Sequence, residues 1–91
     1  MSEHVQRLVG RVAELLAGPL QTDDDLARLQ LLLDATALEL DAPDRPLAET
    51  MRDASSEIES IRFGVSEEDW PSALETRLLP LRTAVERQQS A

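Results

Sequence analysis

Apolar residues in this sequence recur every three or four positions, in runs that break at glycine or proline. That spacing places side chains on one face of an α-helix, because residues three and four apart stack on the same side. No segment alternates apolar and polar residues as a half-buried strand does, and no internal repeat or low-complexity tract occurs. The expected fold class is therefore all-α. Short connections make sequential helices antiparallel, so the simplest assembly is a small antiparallel bundle of four helices within a single domain over residues 1–91.

The first helix is expected from about Glu3 to Ala17, with Val5, Leu8, Val9, Val12, Leu15 and Leu16 on one face. Ser2 suits its N-cap. Gly18-Pro19 ends it, glycine by tolerating a left-handed conformation and proline by being unable to continue the ladder. A third helix is expected from about Pro46 to Phe63, with Leu47, Met51, Ala54, Ile58 and Ile61 as a narrow seam. A tight turn over 66–70 should lead into a last helix from about Trp70 to Gln88, built on Leu74, Leu78, Leu81 and Val85. Pro80 lies inside it and removes the bond to the carbonyl of Thr76, so a kink is expected there. The tail from Gln88 is expected to fray.

The second helix, about Asp23 to Asp41, is different. Thr22 is a natural N-cap, Asp25 stands at the capping-box position, and three carboxylates face the positive end of the helix dipole. One apolar stripe comprises Leu26, Leu29, Leu33, Ala37 and Leu40. A second, nearly opposite, comprises Ala27, Leu31, Ala35 and Leu38, with Leu32 between the two. An ordinary surface helix has one stripe. Either this helix is covered on both sides by the other three, or its second stripe meets another chain. Four short helices can hardly surround one of their own and still share a core. The interface reading is preferred, with Ala27, Leu31, Leu32, Ala35 and Leu38 as contact residues, and a homodimer is the commonest way to cover such a face.

Composition narrows the chemistry. The chain of 91 residues has no cysteine and a single histidine, His4, near a terminus. Disulfides, thiolate metal sites and thiol nucleophiles are excluded. A chain this short has a thin stability margin, commonly offset by disulfides, metals or oligomerisation, and oligomerisation is the remedy left. The formal net charge is −9, from eighteen acidic residues against nine arginines, with no lysine. That balance argues against nucleic-acid backbones and against anionic membrane surfaces. No stretch approaches a membrane span and the N-terminus does not read as a signal peptide, so the cytoplasm is the default expectation. Arginine without lysine, beside abundant alanine and leucine, fits a GC-rich bacterial genome.

Each candidate site has an ordinary explanation. Asp23, Asp24 and Asp25 lack the alternating oxygen ligands and glycine of a calcium loop, and helix capping accounts for them. Glu67, Glu68 and Asp69 read the same way. His4, Arg7 and Arg11 form a basic flank of the first helix; Glu49, Asp53 and Glu57 form an acidic flank of the third. The arginines could clamp an anion between helices, but pairing with an acidic flank or with water is the simpler reading. Trp70 and Phe63, the only aromatic residues, are expected to plug the end of the bundle rather than anchor a partner. No serine has a histidine base or a nucleophile-elbow context, and no glycine loop would cradle a phosphate.

Asp24-Asp25-Leu26 at a helix start, before a leucine-rich helix ending in Ala42-Pro43-Asp44, is similar to the helix of acyl and peptidyl carrier proteins that follows their Asp-Ser-Leu motif. Those proteins are also small, acidic and four-helical. Asp25 stands where that family has the serine that carries phosphopantetheine, and the long first loop of carriers is missing. The resemblance therefore implies no carrier activity. The expectation is a non-enzymatic helical interaction module without metal or cofactor: an adaptor, regulator or accessory subunit. An acidic immunity or antitoxin protein that neutralises a basic toxin is one alternative. A small helical enzyme binding an anionic metabolite through Arg7 and Arg11 is another.

Overall fold

A computed structural model describes residues 2–90, and all the regular structure in them is helical. Helix α1 spans Glu3–Ala17, α2 Asp23–Leu40, α3 Arg45–Gly64, α4 Trp70–Arg77 and α5 Leu79–Ser90. A single 3₁₀ turn, Glu67–Asp69, precedes α4. The protein is an all-α bundle of five helices, not four.

The correction concerns the last element. The single helix expected to kink at Pro80 is two helices that part at Leu78, whose N–H donates to Leu74 O and whose carbonyl accepts from Arg82 N. Proline lacks the amide hydrogen a continuous helix would need at position 80, and it restricts Leu79 before it. Placing Pro80 in the first turn of α5 removes the conflict, since amides there have no partner within their own helix. Leu74, Leu78, Leu81 and Val85 all stay buried across the break. Helix α5 continues to Ser90, past the expected fraying point, with Gln88 and Gln89 beside Gln6 and Val9 of α1.

Helix ends follow local chemistry. Ser2 Oγ accepts from Val5 N at the start of α1. Thr22 and Asp25 form a reciprocal capping box on α2: Thr22 Oγ1 accepts from Asp25 N at 3.1 Å, and Asp25 Oδ2 accepts from Thr22 N and Gln21 N at 3.0 Å. Those two amides hold the Asp25 carboxyl below the usual carboxylate range. Asp44 caps α3 through Leu47 N, with Pro46 in its first turn. Gly18 is extended (φ −87°, ψ −179°) rather than left-handed, and its N–H donates to Glu14 O and Leu15 O. The neighbouring Leu16 carbonyl is satisfied by Arg82 of α5, at 2.9 Å.

Packing sets the arrangement. Helix α1 lies against α2 and α5, while α3 lies against α2, α4 and α5. Contacts fix the directions: His4 reaches Glu39 while Arg11 lines a groove with Arg28, so α1 and α2 run antiparallel. Asp23 meets Arg62 and Asp41 meets Arg52, so α2 and α3 do too. The core takes Val5, Val9, Val12 and Leu16 from α1, and Leu26, Leu29, Leu33, Ala37 and Leu40 from α2. Helix α3 adds Leu47, Met51, Ala54, Ile58 and Ile61. Trp70 is buried and its indole N–H donates to Val65 O at 2.9 Å, closing that end of the bundle. Phe63 is not a plug. It is 74% exposed, with the Arg62 guanidinium 4.9 Å from its ring centre, because it falls off the Leu47–Ile61 seam of α3.

Candidate protein–protein interface

The inward side of α2 is fully committed. Leu26, Leu29, Leu33, Thr36, Ala37 and Leu40 are buried against the neighbouring helices. Thr36 can sit there because its hydroxyl donates to Leu32 O at 2.7 Å, leaving no unsatisfied polar atom. At about 100° per residue, Leu31 and Leu38 lie nearly opposite that set. They are 72% and 71% exposed. Neither belongs to the core.

The other expected contact residues grade away from this ridge. Ala35 is exposed, Ala27 is half-buried, and Leu32 is half-buried against the core at the α1 edge. Towards α1 the ridge borders an open groove of ≈ 460 Å³ lined by Arg11, Glu14, Leu15, Arg28, Leu31, Leu32 and Ala35. Towards α3 a second groove, of ≈ 390 Å³, is lined by Asp34, Leu38, Arg52, Ser55 and Ser56. Leu15, Arg11, Glu14 and Arg52 were not among the sequence-derived contact residues. Nothing in the spacing of α2 alone could place them; Arg28 could have been included, since it is one turn before Leu31.

The basic flank of α1 does not meet the acidic flank of α3: His4 Nε2 lies 4.0 Å from Glu39 of α2, Arg11 lines the groove beside Arg28, and Arg7 is exposed, in keeping with pairing to an acidic side chain or to water. Glu57 of α3 pairs with Arg77 of α4 at 3.6 Å. The acidic start of α2 is used structurally. Asp25 closes the capping box, and Asp23 takes two hydrogen bonds from Arg62, which hold its carboxyl below the usual range. Asp41 is lowered in the same way by Arg52.

Among the described residues, no group of three or more His, Asp or Glu side chains converges to hold a metal ion. No helix among them is long and apolar enough to cross a membrane. No family model matches this chain, and neither curated proteins nor solved structures give a match.

Proposed function

We propose that this chain is a non-enzymatic protein–protein interaction module, an adaptor, regulator or accessory subunit, that self-associates through the outer face of α2. The observation that carries the reading is the exposure of Leu31 and Leu38, two turns apart on a helix whose opposite face is core. Monomers rarely expose clustered leucines, and a symmetric pair covers them with no other partner. Burying the exposed part of a leucine contributes about 1–2 kcal/mol, so four across a twofold give about 4–8 kcal/mol. That is comparable with the lower range of association costs. The leucines alone therefore only offset that cost, and the polar rim must supply the rest of the affinity of a weak, reversible dimer.

The grooves on either side supply a polar rim. Arg11, Glu14 and Arg28 border the ridge on one side, Asp34 and Arg52 on the other. The reading uses no catalytic group: His4 sits in the first turn of α1, 4.0 Å from Glu39.

The test is the double substitution Leu31→Glu with Leu38→Glu. Mass by light scattering should fall to that of one chain while the helical dichroism and the buried emission of Trp70 stay as in the parent. Retained association would contradict the reading, as would outright unfolding, which would make these leucines core.

A further inference from the structure

The ridge and its flanking charges match when two copies of α2 pair antiparallel. Leu31 and Leu38 lie equally far from the Asp34–Ala35 midpoint, so two antiparallel copies of α2 bring Leu31 of one against Leu38 of the other. The charges follow the same symmetry. On the α1 side of the ridge, Arg28 precedes Leu31 and stands with Arg11 at the groove, while Glu39 follows Leu38 and stands beside His4. That flank is basic at one end and acidic at the other, with Glu14 offsetting part of the basic end. A twofold axis perpendicular to α2 keeps the flank on the same side and reverses its direction, so arginine faces glutamate. A twofold along α2 would instead exchange the sides, setting the Arg28 and Glu39 flank against the α3 side of the second copy and leaving Arg28 without Glu39 opposite it. Opposite charges facing across an interface fix its orientation.

On the α3 side the one charge near the midpoint is Asp34. It shares its groove with Arg52, whose positive charge interacts with it, so the two Asp34 side chains would not meet unscreened.

We propose that the partner on this face is a second copy of the chain, paired antiparallel through α2 about an axis beside Ala35, with Leu31 against Leu38 and Arg28 against Glu39 of the second copy. This rests on the self-association reading above and adds its orientation and register. Antiparallel α2 helices also set opposite dipole ends together.

The absence of cysteine makes the test clean, because each introduced thiol is the only one present. Ala35→Cys lies next to the axis and should form a disulfide-linked dimer under mild oxidation, since facing helices bring such positions within bonding reach. Ala27→Cys should stay unlinked, because at 1.5 Å rise per residue it would lie about 22 Å from its mate along the helix axis. Both variants are first weighed under reducing conditions. A monomer there means the self-association reading itself fails. If the reduced proteins are dimers, equal cross-linking at both positions overturns the antiparallel arrangement in favour of a parallel one. Dimers that cross-link at neither position overturn the register. Efficient cross-linking at position 35 alone is the result expected.

Discussion

Arg62 of α3 holds Asp23 of α2 at two points, Nε to Oδ1 at 2.8 Å and Nη2 to Oδ2 at 3.0 Å, while its Nη1 donates to Gln30 Oε1 at 3.1 Å. One guanidinium thus ties the end of α3 to the first two turns of α2.

This pair makes part of the stability pH-dependent. The Arg62 hydrogen bond lowers the Asp23 carboxyl below its ordinary 3.8, so its contribution is complete above that value and fades as the pH falls through the lowered one. Asp23→Asn should be less stable than the parent near neutral pH. In urea titrations that difference should close under acid conditions, as both side chains become uncharged. A difference that stays constant with pH would mean the pair does not act through charge.

The two stripes of α2 should respond oppositely to truncation. Leu33→Ala removes a fully buried side chain and should cost about 2–5 kcal/mol, a large part of a small domain's stability. Leu31→Ala should change the stability of the monomer by no more than about 0.5 kcal/mol. Denaturant melts at concentrations below dimerisation separate the two effects. Equal losses would place Leu31 in the core and contradict its exposure.

Gly10 offers a gain. It lies inside α1, where glycine is less favourable than alanine, and an added Cβ would meet only Gln89 Nε2, at an ordinary 3.8 Å. Gly10→Ala should therefore stabilise the protein by about 0.5–1 kcal/mol, read as a higher denaturation midpoint with an unchanged slope. Destabilisation would show that α1 and α5 approach more closely than that spacing.

Much of this was legible because helix periodicity and capping are local. The Thr22–Asp25 box, the Leu26–Leu40 stripe and the Leu47–Ile61 seam each follow from residues within a few turns. The break at Leu78 was not, although its cause was visible. Pro80 forbids one hydrogen bond, but whether the chain bends or parts into two helices depends on how α4 and α5 each pack against α3. Thr36 reads as a surface residue until its hydroxyl is seen bonded to Leu32 O. Phe63 and Trp70 looked alike in sequence, yet only Trp70 reaches the core, because burial depends on the direction of the helix at each position. The exposed apolar ridge was visible in α2. Its rim of Arg11, Glu14 and Arg52 comes from other helices and needs the tertiary arrangement.

The most direct measurement is absolute mass by light scattering behind a sizing column, taken over a hundredfold range of protein concentration. Self-association through the α2 ridge predicts a mass that rises with concentration towards twice the 10.1 kDa of the chain, and that stays at one chain in the Leu31→Glu, Leu38→Glu variant. A parent protein that remains monomeric across the whole range would contradict it.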